Sequence, residues 1–186
     1  MGLPHPEPDA QGATVVLVGN PRPASRTATA ALRVAQVLDP GTEPTLVDLA
    51  TFGPAVLDPD ATEVADAMAV VASARLLVVA SPVYKGAATG LLKAFLDRYG
   101  PGGLAGVVAQ PVMVGASPGH AFAVEATLRP VLVELGATCP VAGLYLQEQR
   151  LPALGTEDDP VVAWADAAAW PLLAALAART PVVATV

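Results

Sequence analysis

The sequence predicts an α/β chain, a parallel β-sheet covered by helices on both faces. Three observations carry that prediction. Short apolar runs alternate with segments of helical period along the chain, the pattern of repeated strand–helix–strand units. The runs are continuously apolar and β-branched, so both faces of each strand are to be buried, as in parallel sheets. Pro- and Gly-rich turns separate the segments. A chain of 186 residues suits one domain, which would bury roughly 70% of its unfolded surface.

The elements follow in order. Residues 1–12 are Pro-rich and acidic and read as a disordered tail. One domain is expected over 13–180, with a C-terminal tail at 181–186. Thr14 to Gly19 is the first strand. Arg26 to Leu38 is a helix, with Ala31, Leu32, Ala35 and Leu38 on one face. Pro44 to Leu49 is a short second strand. Asp60 to Ser73 is a helix whose first turn holds Asp60 and Glu63, where the macrodipole favours acids. Leu76 to Ala80 is the third strand and Leu91 to Tyr99 the third helix. Pro111 to Ala116 is the fourth strand, with Pro at a tolerated first position. Phe122 to Leu135 is a helix that Pro130 kinks or restarts and Gly136 stops. Val141 to Leu146 is the fifth strand. An Ala-rich helix from Asp159 to Arg179 breaks near Pro171. Five strands at this size suit a flavodoxin-like three-layer sandwich with strand order 2-1-3-4-5. Its ligand crevice lies at the switch between the first and third strands, so the loops after strands one, three and four should line it.

Composition removes several classes of function. A formal charge of −7 opposes general nucleic-acid binding, which needs a basic face. No polybasic segment suits a membrane surface, and no apolar run reaches the ~20 residues of a span. Cys139 is the only cysteine, so no disulfide framework or thiolate metal cluster is expected, and no His/Cys/Asp/Glu group has metal spacing. The N-terminus lacks an apolar signal segment. The expected location is cytoplasmic.

The first loop runs Gly19-Asn20-Pro21-Arg22-Pro23-Ala24-Ser25-Arg26-Thr27. Amides at a helix start point outward, and the dipole favours an anion. Arg22, Arg26 and the hydroxyls of Ser25 and Thr27 add donors suited to a phosphate. Ser25 is also a plausible N-cap with no ligand. The second loop, Pro82 to Thr89, carries Tyr84, which can lie against a flat ring, and Lys85, which can stabilise negative charge. Gly86 there permits close backbone approach. A surface turn with a solvated lysine is the alternative. The third loop, Gly115-Ala116-Ser117-Pro118-Gly119-His120, matches G-x-S-x-G in a strand–turn–helix setting. A serine hydrolase is therefore a rival reading. It lacks a downstream histidine: the chain's two histidines are His5 and His120, and His120 sits inside the turn.

With these residues in view, the stretch from Thr14 to Gln147 resembles the NADPH-dependent FMN reductase family. It is most similar to the branch that supplies reduced flavin to sulfonate monooxygenases. The segments that carry the resemblance are GNPRPASRT, SPVYKGAATGLLKAFLD and Ala116 to Pro130. The resemblance implies an FMN phosphate on Asn20, Arg22, Ser25, Arg26 and Thr27. It implies an isoalloxazine along Pro82, Val83, Tyr84, Lys85 and Gly86, with its other edge bordered by Gly115, Ala116, Ser117 and His120. It implies NADPH or NADH as reductant and a homodimer or homotetramer. Leu91, Leu92, Phe95, Tyr99, Trp164 and Trp170 are the expected surplus apolar surface. Hydride would pass from nicotinamide to flavin N5, and then to a flavin-accepting monooxygenase or a small acceptor. No side chain is required as a catalytic acid or base. The alternatives are a flavodoxin-like electron carrier and a quinone or azo reductase with tightly bound FMN. One departure stands out. Flavin-transferring relatives carry a bulky residue where this chain reads Val124-Glu125-Ala126-Thr127, which implies a more regular helix and a more firmly held flavin.

Overall fold

The structure is a computed structural model and describes residues 12–178. The tails expected at 1–12 and 181–186, apart from Gly12, lie outside the described residues. The five strands are β1 (Thr14–Val18), β2 (Thr45–Asp48), β3 (Leu76–Pro82), β4 (Val108–Gly115) and β5 (Leu144–Gln147). They are all parallel, in the order β2-β1-β3-β4-β5. The helices are α1 (Arg26–Leu38), α2 (Thr62–Ala72), α3 (Gly90–Leu96), α4 (Arg129–Glu134), α5 (Pro160–Ala168) and α6 (Trp170–Ala177).

Successive strand residues point to opposite faces, so each strand feeds two cores. Val15, Leu17, Leu77, Val79 and Met113 pack under α2, α3 and α4. Val16, Val18, Val78, Ala80, Val112 and Val114 pack under α1, α5 and α6. Every residue of β1, β3 and β4 is buried, which is why those runs read as continuous apolar stretches. In α1 the sheet-facing positions include Ala28, Ala31, Val34, Ala35 and Leu38. The alanines let the helix approach the sheet closely.

Several boundaries differ from the sequence reading. β4 starts at Val108, so Pro111 lies inside the strand and not at its first position. It is tolerated because β5 pairs only from Val112 onward, leaving no ladder partner for the missing amide on that side. The buried Gln110 amide fills the gap, donating to the Pro111 and Ala142 carbonyls at 3.0 and 3.3 Å. β5 begins at Leu144, three residues later than expected. The last helix breaks at Ala169, two residues before Pro171.

The expected regular helix before Pro130 is not what forms. Val124–Leu128 is a π turn, with the Arg129 amide donating to the Val124 carbonyl. Pro130 has no N–H to give and its ring crowds the carbonyl one turn back, so the chain widens ahead of it. Leu92 and Phe95, expected on an interface, are fully buried core residues. Of that set, Trp170 is the one left largely exposed, at 72%. Among the described residues no single helix is long and apolar enough to cross a membrane; α5 and α6 reach that length only together, bent by 68°.

α1 and α5 are clamped by one carboxylate. Asp159 is buried and accepts from Arg33 Nε at 2.6 Å, Gly155 N at 2.7 Å and Val161 N at 2.8 Å. Burial alone would raise its pKa. The Gly155 amide, Arg33 and the Val161 amide outweigh burial and hold it below the ordinary value of 3.8. A carboxylate with a depressed folded pKa stabilises fully above its unfolded pKa, and that stability is lost as pH falls through the folded value. Asp159→Asn should therefore lower the melting temperature at pH 7 by about 5 °C, for a loss of ~2 kcal/mol. The gap to wild type should close below the ordinary value. A gap that persists unchanged at pH 2.5 would contradict this assignment.

Gly19 tests the packing at the end of β1. A Cβ there would lie 2.4 Å from Leu92 Cβ, inside any van der Waals contact. Gly19→Ala should destabilise the chain by about 2–3 kcal/mol in urea titration, the cost of overpacking. A loss below about 0.5 kcal/mol would show that α3 is not seated against this residue.

Candidate functional site

Parallel strands all end on one edge of the sheet, and β1, β3 and β4 are neighbours. Val18, Ala80 and Val112 are level in register. The three loops that follow these strands therefore emerge side by side, as the sequence reading expected.

The first loop is built by side chains that take its backbone amides. Pro21 and Pro23 have no N–H. The Arg22 amide donates to Asn20 Oδ1 at 3.0 Å and the Ala24 amide to Asp48 Oδ2 at 3.2 Å. Asn20 is buried, and its Nδ2 donates to the buried Thr27 hydroxyl at 3.1 Å. Ser25 is the N-cap of α1, accepting from the Ala28 amide at 3.2 Å. Asn20, Ser25 and Thr27 thus shape the loop from within, and Ser25 does act as a cap. Arg26 pairs with Glu148 across the sheet edge at 2.8 Å, and both remain substantially exposed. The Arg22 side chain is exposed, and among the described residues none hydrogen-bonds its guanidinium.

The second loop leaves β3 through Pro82 and Val83, whose amide donates to the Val114 carbonyl of β4 at 2.8 Å. Tyr84 and Ala87 exchange amide–carbonyl bonds at 2.9 and 3.1 Å. The two residues between them, Lys85 and Gly86, have φ of 54° and 80°, the signature of a type I′ turn. Glycine meets that need without strain; lysine does not. The turn leaves the Lys85 and Gly86 amides outside its own hydrogen bonds and sets Tyr84 and Lys85 in solvent.

The third loop is braced by Tyr145, whose hydroxyl donates to the Ser117 carbonyl at 2.5 Å. Burial, and then Glu148, raise the tyrosine pKa, so the hydroxyl stays a donor. Gly115 has no room for a side chain: a Cβ would meet that hydroxyl at 2.6 Å. Ser117 Oγ accepts from the Gly119 amide at 3.2 Å and caps the short 3-10 turn Pro118–His120. Among the described residues no histidine hydrogen-bonds Ser117, so the nucleophile–base pair of a hydrolase is absent there. Ala116 is exposed and His120 half-buried at the mouth of the loop.

Residues outside the sequence-derived set complete the site. Thr89 caps α3, accepting from Leu92 N at 3.2 Å, and its hydroxyl donates to the Gly19 carbonyl at 2.5 Å. That bond ties the second loop to the first. Thr127, in the π turn, accepts from the Ala88 amide at 3.3 Å. The Phe122 ring lies 3.8 Å from where a Cβ on Gly86 would stand, which puts a second exposed aromatic next to the turn that follows Tyr84. Phe122 was visible in the sequence as a helix start; nothing there signalled its approach to the turn.

Two shallow grooves are also present, one away from the three loops and one that reaches Arg26 at the end of the first. One, of about 350 Å³, runs between α3 and α4 and includes Lys93, Tyr99 and Val131. The other, of about 250 Å³, lies between Arg26, Glu148 and Leu151. Both are mainly apolar. The three loops concentrate exposed cations, helix-start amides and small residues, and they form the candidate site.

The strain at Lys85 gives a test independent of any ligand. Lys85→Asn, with a residue at home in left-handed backbone, should raise the unfolding free energy by about 1 kcal/mol. An unchanged or lowered midpoint in urea would mean that the lysine is not held in this conformation.

Comparison with known proteins agrees with the geometry. The model of the NADPH-dependent FMN reductase family matches residues 13–150. An FMN reductase (NADPH) of Pseudomonas putida is 36% identical over 93 residues, 50% of this chain and 47% of the relative. Its Escherichia coli K12 counterpart is 37% identical over 75 residues, 40% of this chain and 39% of the relative. The aligned stretch thus spans less than half the length of either. A crystal structure of an NADH:FMN oxidoreductase in its apo form superposes with a TM-score of 0.72 and 30% identity, covering 89% of this chain and 87% of that one. General stress protein 14 of Treponema denticola, solved in complex with FMN, shares the fold with a TM-score of 0.57 and 20% identity, over 83% of this chain and 98% of that one. The strand order, the three loops and a family model that covers most of the chain lead to one conclusion: the chain belongs to the NADPH-dependent FMN reductase family.

Proposed function

We propose that this protein is an NAD(P)H-dependent FMN reductase whose flavin sits on the three loops at the carboxyl edge of β1, β3 and β4. The observation that carries the proposal is the first loop. Its two proline-flanked amides are consumed internally by Asn20 and Asp48, while Arg22 and the amides at the start of α1 remain for an anion. The donor set fits a phosphate. The type I′ turn and the side-chain-free Gly115 fit a flat ring at the second and third loops.

The bound flavin would supply the redox chemistry, taking reducing equivalents from a nicotinamide. The chain's residues bind, orient and polarise. Arg22 neutralises phosphate charge. The Lys85 ammonium and the Lys85 and Gly86 amides favour electron density on the ring portion they face. Tyr84 and Phe122 shield its apolar surface from water. Ser117 contributes backbone and capping geometry, not nucleophilic attack.

The regular helix expected to accompany firmly retained flavin is replaced by a π turn, and Thr127 joins that turn to the second loop. We therefore read the flavin as exchangeable, a supply for a flavin-accepting monooxygenase or a small acceptor. Trp170, Leu173 and Val162, all exposed on α5 and α6, support assembly into a homo-oligomer. One observation favours a second reading. Phe122, close to Gly86, and the exposed Tyr84 put two aromatics at the second loop, and a non-enzymatic electron carrier sandwiches its ring between two aromatics.

The assay is NADPH and NADH oxidation with and without added FMN. The proposal expects oxidation that saturates with FMN, and no ester hydrolysis. FMN binding without nicotinamide oxidation would favour the carrier. Arg22→Ala should weaken FMN binding tenfold or more, since a charge-assisted hydrogen bond is worth ~1.5–3 kcal/mol. Ser117→Ala should keep at least about a tenth of the rate. Unchanged FMN affinity in Arg22→Ala would remove the phosphate from the first loop.

A further inference from the structure

Asp48 lies outside the three loops, at the carboxyl end of β2, and is only 8% exposed. Among the described residues no cation lies within 4 Å of its carboxylate. Both oxygens are committed to backbone amides instead. Oδ1 accepts from Ala50 N at 3.2 Å and caps the 3-10 turn Leu49–Thr51. Oδ2 accepts from Ala24 N at 3.2 Å, 24 residues away in sequence.

Ala24 is one of the two described non-glycine residues with positive φ, at 49°. That conformation is strained for a residue with a Cβ, so something must hold it. The loop around it has few other means. Pro21 and Pro23 cannot donate, and Arg22 N is held by Asn20. Ala24 N is the last amide before the helix cap Ser25, and Asp48 is its acceptor. The kink at Ala24 sets the direction in which the chain enters α1. It therefore sets where the amides of Ser25, Arg26 and Thr27 point.

We propose that Asp48 is a positioning residue for the phosphate loop. It pins Ala24 in left-handed backbone from behind and aims the first amides of α1 at the phosphate of the flavin, without touching it. This rests on the first loop being the phosphate site. It predicts that Asp48 governs preference for the phosphorylated flavin, not affinity for the ring.

The test compares FMN with riboflavin, which carries the same ring without phosphate. Both dissociation constants are measured by quenching of flavin fluorescence, on protein shown to be folded by near-UV circular dichroism. Asp48→Ala should raise the FMN constant about fivefold or more, as expected for loss of a charged hydrogen-bond acceptor. Its riboflavin constant should stay within about twofold. Asp48→Asn, which keeps one acceptor oxygen, should fall between wild type and Asp48→Ala for FMN and leave riboflavin unchanged. If Asp48→Ala does not fold, Asp48→Asn alone decides, with an FMN loss of about two- to threefold expected. Equal weakening of both flavins, or undiminished preference for FMN, overturns the role of Asp48. Wild-type protein that binds FMN no more tightly than riboflavin overturns the phosphate site, and the role of Asp48 with it.

Discussion

The site depends on one close approach, that of α3 to the end of β1. Gly19 has no side chain, so Leu92 occupies the space a Cβ would need. The same contact brings Thr89 within 2.5 Å of the Gly19 carbonyl. β1 carries the first loop and α3 follows the second, so this junction fixes the distance between the two. A larger residue at Gly19 would push α3 away, break the Thr89 bond and separate the cationic loop from the turn that presents Tyr84 and Lys85. Ser81 backs the junction from inside the sheet, accepting from the Thr89 amide at 3.0 Å.

Around this junction each loop is shaped by side chains that bond to backbone. Asn20 and Asp48 hold the first loop, Ser81 and Thr127 the second, Tyr145 the third. Several of these residues are buried or half-buried, so their bonds are shielded from competing water. The exposed groups left over, Arg22, Tyr84, Lys85 and Phe122, are not consumed by the fold. Rigid support beneath and unsatisfied chemistry above is the arrangement expected of a preformed ligand edge. The strained backbone at Ala24 and Lys85 falls on two of these loops and not in the core, where packing alone would have to maintain it.

The strand order and α1 were legible because burial on both faces leaves an unbroken apolar run, and a helix leaves a 3.6-residue period. The start of β4 was not legible, because Pro111 reads as a boundary. It is tolerated mid-strand only because β5 begins later, and no local signal reports that. The π turn was missed for a related reason: Pro130 announced an irregularity, but not whether the chain would kink or widen. Within the site, the loops could be found from glycines and cations at strand ends. Their residues divided differently from expectation. The Ser25 and Thr27 side chains bond within the loop, and Arg26 meets Glu148 from 122 residues away. Asp48, Thr89 and Tyr145 act through contacts with no sequence-local trace. Long-range hydrogen bonds are set by topology, which composition and periodicity cannot express.

The central claim is that one edge of the sheet, and no other surface, receives the flavin. Backbone amide chemical shifts of the ¹⁵N-labelled protein, followed during FMN titration, address it most directly. The account predicts that the largest changes cluster in 22–28, 83–89 and 115–122, with little movement along the groove between α3 and α4. Changes centred on Lys93, Tyr99, Val131 and Leu135 instead, with the three loops silent, would contradict it.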